Sequence, residues 1–294
     1  MIKRSDINIR DPFVLAEGGF YYMYGSTDKN IWGGECRSFD VYKSRDLENF
    51  EPPVSAFTRF DGFWANENYW APEVHRYRGK YYMLASFRAK GRRRGSQILV
   101  ADRPEGPFTP LADGPFTPSD WDCLDATLYV ENGRPYAVYC HEWTQIQDGE
   151  ICYQELSPDL KGTVSPPVKM FAASSAPWTR AVSCHAGDFN GRITDAPFFY
   201  RLKSGSLLML WSSAGAEGYA VGLSVSENGG VTGRFAHYET PLFAKDGGHA
   251  MVFRALDGRL LLALHRPNAP PGAERPAFFE IAETGDGLLI KSEI

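Results

Sequence analysis

Gly19-Phe20-Tyr21-Tyr22-Met23-Tyr24-Gly25-Ser26 sets the pattern on which the chain is built. A glycine opens it, an apolar and aromatic run follows, and a small or polar residue ends it. The pattern returns as Gly79-Lys80-Tyr81-Tyr82-Met83-Leu84-Ala85-Ser86, Gly133-Arg134-Pro135-Tyr136-Ala137-Val138-Tyr139-Cys140, Gly205-Ser206-Leu207-Leu208-Met209-Leu210-Trp211-Ser212 and Gly258-Arg259-Leu260-Leu261-Leu262-Ala263-Leu264-His265. The spacing is roughly 60 residues, a period that signals a repeat architecture. A shorter apolar run precedes each copy, at 13–15, 74–77, 126–130, 198–202 and 251–255. Turn residues such as Glu17-Gly18-Gly19, Arg78-Gly79 and Asp257-Gly258 join the two runs, so each pair reads as a β-hairpin. Third runs follow in most copies, at 98–101, 151–156, 219–226 and 277–282. No ten-residue stretch between them carries a helical stripe. The fold class is therefore all-β. Five repeats of three or four antiparallel strands predict a five-bladed β-propeller, a single domain over residues 1–294, in preference to a pair of β-sandwiches.

Composition agrees. Aromatic residues make up 14% of the 294, which favours strands and ligand-facing surfaces over a helical bundle. The net charge of −5 argues against a nucleic-acid partner, whose binding domains are usually basic. The five cysteines are scattered, with no CxxC pair, as expected of reduced and buried thiols. No apolar run reaches the roughly 18 residues of a membrane span. The first residues, Met1-Ile2-Lys3-Arg4-Ser5-Asp6, lack the apolar core of a signal peptide, so the expected location is cytoplasmic. The oligomeric state is left open by the sequence.

In a propeller the first strand of each blade is innermost, and the starts of these strands converge on the axis at one face. The residues there are Asp11-Pro12, Pro72-Glu73, Asp125-Ala126, Asp195-Ala196-Pro197 and His249-Ala250. Like charges on one axis raise each other's pKa, and carboxyl groups with separated pKa values are the apparatus of glycoside hydrolysis. A turn or capping role is the plain reading of any single one of them.

The ordered set Arg10-Asp11-Pro12, Trp70-Ala71-Pro72-Glu73-Val74, Leu124-Asp125-Ala126-Thr127-Leu128-Tyr129-Val130, Thr194-Asp195-Ala196-Pro197 and Gly247-Gly248-His249 resembles glycoside hydrolase family 43. That resemblance implies a five-bladed propeller acting by inversion on arabinofuranosides, xylosides and related galactosides. It implies Asp11 as the general base and Asp125 as the carboxylate that orients the acid and raises its pKa. The family's acid is a Glu; the matching position here is Asp195, one methylene shorter, with Glu142 of Cys140-His141-Glu142-Trp143 as the substitute. His249 matches a histidine that in parts of the family holds a calcium or sodium ion in the central channel through water; no cofactor is otherwise required. Trp70 is expected as a sugar platform or a core residue between blades. Glu73, His265 and Arg266 are expected near sugar hydroxyls. The basic run Lys90-Gly91-Arg92-Arg93-Arg94 reads as a solvated hairpin tip or as a reader of anionic sugars.

The expected function is an inverting, exo-acting glycoside hydrolase, of the α-L-arabinofuranosidase or β-xylosidase type. It would release a terminal arabinofuranosyl, xylosyl, galactosyl or galactofuranosyl unit from an oligosaccharide. Two alternatives stand beside it. One is a catalytically weak carbohydrate-binding propeller. The other is a phosphorylase-like propeller, for which Arg180, Arg192 and Arg266 would have to form a phosphate pocket. Loops 27–40, 57–69 and 171–193 are expected to shape the funnel.

Overall fold

A computed structural model describes residues 1–28, 31–184 and 187–294. Five antiparallel sheets, each drawn from one contiguous segment in up-and-down order, form the five blades. From the axis outward, blade 1 contains Arg10–Glu17, Phe20–Ser26 and Ser38–Ser44, with an edge made of Asn49–Phe50, Ile2–Lys3 and Val54–Thr58. Blade 2 contains Glu67–Tyr77, Lys80–Arg88, Gly95–Ala101 and Thr109–Pro110. Blade 3 contains Cys123–Glu131, Arg134–His141, Glu150–Glu155 and Val168–Ala172. Blade 4 contains Asp195–Arg201, Leu207–Gly215, Gly218–Ser226 and Phe235–His237. Blade 5 contains Gly248–Arg254, Leu260–Arg266, Arg275–Glu283 and Leu288–Glu293.

Innermost strands touch their neighbours all the way round, including blade 5 against blade 1. Side chains near the chain start seal that last junction. Asn8 donates to the Glu274 carbonyl at 2.9 Å, and the Arg10 guanidinium meets the buried Glu274 carboxylate at 2.9 Å.

The repeated octets are the second strands, and nearly all of their residues are buried. Each blade is covered on both faces by its neighbours, so its middle strands are continuous apolar runs instead of alternating ones. Four apolar clusters fill the gaps between blades, for example Tyr82, Leu84, Cys123, Tyr139 and Cys152 between blades 2 and 3. All five cysteines are buried and free. Helix is confined to Trp143–Ile146 and two short 3-10 turns among the described residues, and no helix is long and apolar enough to cross a membrane.

The inner strands begin several residues earlier than their apolar runs suggest, and every one carries a register shift near its start: Arg10/Phe13, Trp70/Glu73, Leu124/Thr127, Asp195/Phe198 and Gly248/Met251. Within each shift one non-glycine residue has positive φ: Asp11 (57°), Ala71 (47°), Asp125 (54°), Ala196 (54°) and His249 (56°). An L-residue held there costs on the order of 1–3 kcal/mol, and such strain collects at functional sites.

The last residue of each octet holds the next blade's bulge. Ser26 accepts the Ala71 N–H (2.9 Å), Ser86 that of Asp125 (2.9 Å), Ser212 that of His249 (2.9 Å), and the His265 Nδ1 that of Asp11 (3.1 Å). In blade 3 the octet ends in Cys140, and the Asp125 carboxylate takes the Ala196 N–H instead (3.2 Å). Five strained turns are thus tied blade to blade around the axis.

This register corrects the expected ring of equivalent acids. Asp11, Asp125 and His249 do share a position. Asp195 stands one residue earlier, opposite Ser212, just as Arg10 stands opposite Ser26. Glu73 stands two residues past the bulge, opposite Leu84.

Candidate active site

The five inner strands open at one end into a cavity of about 550 Å³ with walls from every blade. Asp11, Asp125, Asp195, Glu142 and His249 line it, together with Trp70, as the sequence reading expected.

His249 sits between two of the acids. Its Nδ1 is 3.0 Å from Asp11 Oδ1 and 3.6 Å from Asp125 Oδ2. Burial alone would lower its pKa, but the charges of Asp11 and Asp125 outweigh that and raise it to about 9. Burial would raise Asp11. The charge of His249, its hydrogen bond, and the charge of Arg10 overcome this and hold the carboxyl well below the usual range. Asp11 Oδ2 also accepts the Ser26 hydroxyl at 2.6 Å. Asp11 is therefore a fixed carboxylate, as a base must be.

Asp195 is displaced the other way. Burial, aided by the charges of Asp11 and Glu142, pushes it up to about 6 against the opposing pull of the Tyr219 hydroxyl and His249. Tyr219 donates to Asp195 Oδ2 at 2.8 Å. The tyrosine ring stacks on His265, with centroids 5.8 Å apart and planes at 22°. One edge of the ring fills the space beside Gly248, where a Cβ would fall 2.4 Å from Tyr219 Cε1. The Gly247-Gly248-His249 motif thus makes room for the tyrosine that holds Asp195. Asp125 is raised well above its ordinary value by burial and, against the charge of His249, by Asp195 and Asp11. Through the Ala196 N–H it fixes the backbone beside Asp195.

Glu142 caps the short Trp143–Ile146 helix at the end of blade 3's second strand. Its Oε2 faces the Arg94 guanidinium in a buried ion pair. An acid must present its proton to the leaving oxygen, whereas Glu142 presents its oxygen to an arginine.

Three expected substrate contacts are corrected. Glu73 is buried, bonds His75 Nε2 at 2.8 Å and does not line the cavity, because it lies past the bulge. His265 is wholly buried behind Asp11; burial, added to by the nearby Arg10 charge, lowers its pKa to about 4, so Nδ1 is free to accept the Asp11 N–H. Arg266 turns outward to Glu293 at 3.3 Å. Trp70 does line the cavity, but the Arg94 guanidinium covers its ring, 4.1 Å from the centroid, so that face is not a sugar platform. Arg180 bonds the carbonyls of Pro177 and Thr179, and Arg192 that of Thr179. With Arg266 turned away as well, the three arginines do not make a phosphate pocket.

Sequence reasoning missed Tyr219, the cavity-lining role of Arg94, and Trp32. Trp32 is 57% exposed at the cavity wall, edge-on to Trp70 at 5.7 Å and under the Arg10 guanidinium. An aromatic beside a glycine pair in loop 27–40 was the available signal. As for the channel ion, no group of three or more His, Cys, Asp or Glu with metal-holding geometry occurs among the described residues. His249 Nδ1 faces the carboxylates of Asp11 and Asp125, and an ion near the channel would be held through water, as the resemblance implies.

A propeller whose axial cavity gathers carboxyl groups displaced in opposite directions has the architecture of a glycosidase. Comparison with known proteins agrees: the family model described as glycosyl hydrolases family 43 matches residues 6–281. The chain belongs to that family. The crystal structure of an endo-arabinase from Bacteroides thetaiotaomicron VPI-5482 is similar over 98% of this chain and 99% of its own, with 40% identity and a TM-score of 0.90. Among curated proteins, the extracellular endo-α-(1→5)-L-arabinanase 1 of Bacillus subtilis (strain 168) is 23% identical over 58% of this chain and 52% of its own length. Xylosidase/arabinosidase 43A of Humicola insolens is 27% identical over 51% and 48%. The matches thus span about half the length of these two curated relatives.

Proposed function

We propose that this enzyme hydrolyses terminal α-L-arabinofuranosyl linkages with inversion, using Asp11 as base and Asp195 as acid. One observation carries the reading: two carboxyl groups in one cavity are driven apart, Asp11 down and Asp195 up to about 6. Such a separation is how acid and base are assigned between like residues. In a single displacement Asp11 draws a proton from water as its oxygen attacks the anomeric carbon. Asp195 gives its proton to the glycosidic oxygen as that bond breaks. Both charges are restored when solvent exchanges the two protons. Tyr219 and Asp125 hold the acid; His249 and Ser26 hold the base.

Walls from all five blades make the cavity a pit, and a pit admits a chain end, which favours exo action. The 40% identical structure carries the name endo-arabinase, which favours internal cleavage as the second reading. Arabinose is favoured over xylose and galactose because all three relatives named above carry an arabinan- or arabinoside-cleaving name. Debranched arabinan labelled at its reducing end decides the mode: free arabinose as the first product supports exo action, and a ladder of oligomers establishes endo action. Proton NMR of the earliest product decides the stereochemistry. A first-formed β-arabinofuranose supports inversion from an α-linkage; an α-anomer overturns it.

A further inference from the structure

The β-hairpin of blade 2 separates two cavities. One is the axial funnel. The other, about 360 Å³, lies among Trp64, Arg92, Arg93, Arg94, Pro115 and Pro118. Arg94 lines both. Its side chain is 5% exposed; Nη1 faces Glu142, and the guanidinium lies over Trp70. Yet its buried Nε has no partner. A buried donor left unpaired costs about 1–3 kcal/mol.

Charge in this hairpin is unevenly spent. Arg93 is neutralised by Asp122 at 2.7 Å. Exposed Arg88, Lys90 and Arg92 meet no carboxylate among the described residues, although the whole chain is net acidic at −5. Arg88 stands at the funnel wall and Arg92 at the second cavity. Trp64 supplies the flat apolar surface that sugar rings stack on, its indole N–H held by Gln97 Oε1 at 2.6 Å. Pro115 and Pro118 extend that surface. An aromatic wall beside a guanidinium free of carboxylate partners suits a sugar ring carrying a carboxylate.

We propose that the second cavity is a sugar subsite for a uronate residue, next to the funnel across Arg94. The natural substrate is then an acidic glycan whose uronate lies some residues from the cleaved bond. The subsite goes beyond the hydrolytic reading above and does not depend on which carboxyl is the acid.

The test uses two uronate disaccharides, digalacturonate and glucuronosyl-xylose, each beside its carboxyl-reduced counterpart. Binding is followed through the tryptophan indole N–H signals, with Trp64→Phe identifying that of Trp64. Both or either uronate should move the Trp64 signal, and the reduced sugars should bind at least about 10-fold more weakly. Arg92→Ala should weaken uronate binding about 10-fold, equivalent to about 1.4 kcal/mol. The same variant should turn over a neutral aryl arabinofuranoside as the wild type does, which separates failure of the subsite from failure of the active-site assignment. Salt at 0.5 M should weaken the uronate contact. Equal binding of reduced sugars, an ineffective Arg92→Ala, no shift with either uronate, or shifts confined to Trp32 and Trp70 would each overturn the subsite.

Discussion

Blades 1 and 4 bring an aspartate to the same cavity through the same kind of strained bulge, yet the two residues are chemically opposite. Asp11 occupies the positive-φ position itself, faces the His249 imidazole, and receives the Ser26 hydroxyl. Asp195 stands one residue before that position, where alanine takes the strain, and meets only a tyrosine hydroxyl. The bulge position alone does not decide this: Asp125 shares the position of Asp11 and lies 3.6 Å from His249, yet burial and the charges of Asp195 and Asp11 raise it, whereas Asp11 bonds His249 and Ser26 directly. Burial penalises both charges equally in kind; the partner decides the sign. The propeller backbone thus supplies similar sockets, and the side chains around each, Tyr219 of blade 4 for Asp195 and Ser26 of blade 1 with His249 of blade 5 for Asp11, determine what it does.

The comparison breaks first at Asp11. Asp11→Asn keeps the shape but removes the base, so turnover of every substrate should fall about 10²–10⁴-fold whatever the leaving group, while sugar affinity changes only a few-fold. Steady-state kinetics on an aryl glycoside and titration with a product sugar check both halves. Retention of more than about a tenth of the activity removes Asp11 from the role.

A second, smaller effect concerns the socket of Asp195. The Tyr219 hydroxyl lowers the Asp195 pKa, so its loss must raise it. Activity that needs protonated Asp195 should decline in the wild type as pH rises through about 6. In Tyr219→Phe that alkaline limb should move to higher pH, with kcat/KM at the optimum reduced less than about 10-fold. The ring stays, so its stacking on His265 is kept. An unmoved limb would mean that Tyr219 only fills space.

The third effect is on stability. His249 has a folded pKa of about 9 against an ordinary 6.5, so its contribution is fully present below pH 6.5 and is lost as pH rises through 9. Asp11 stays ionised across that window and adds no slope. A melting-temperature series from pH 6 to 9.5 should decline, with His249 accounting for on the order of 2–3 kcal/mol of stability, and His249→Asn should make the decline shallower, leaving the part that the raised Asp125 and Asp195 carboxyls contribute. A slope unchanged by the substitution assigns the titration to another group.

How much of this was legible in the sequence follows from the same geometry. Octets ending at Ser26, Ser86, Ser212 and His265 disclosed the repeat, and the motifs around Asp11, Asp125, Asp195 and His249 disclosed the axis. Which side of a bulge a residue takes was not legible, because spacing along the chain does not show a register shift. A one-residue slip sends a side chain to the other face. The bulges override that simple alternation: Asp195, one residue before the strained position, still lines the cavity, while Glu73, two residues past it, does not. His265 is expected near sugar hydroxyls because it ends a hairpin at the cavity face, but that end is where each blade grips the next. Arg94 looked like the last residue of a solvated tip; its burial depends on Glu142, contributed by another blade. Trp32 lies in a loop with no periodicity to place it.

The most direct test is the leaving-group dependence of Asp195→Ala. An acid matters most when the leaving alcohol cannot depart without its proton. The variant should lose about 10²–10⁴-fold more activity on an arabino-oligosaccharide than on an aryl arabinofuranoside with an acidic phenol. Equal losses on both substrates, or the same signature appearing in Glu142→Ala instead, would contradict the assignment of the acid to blade 4.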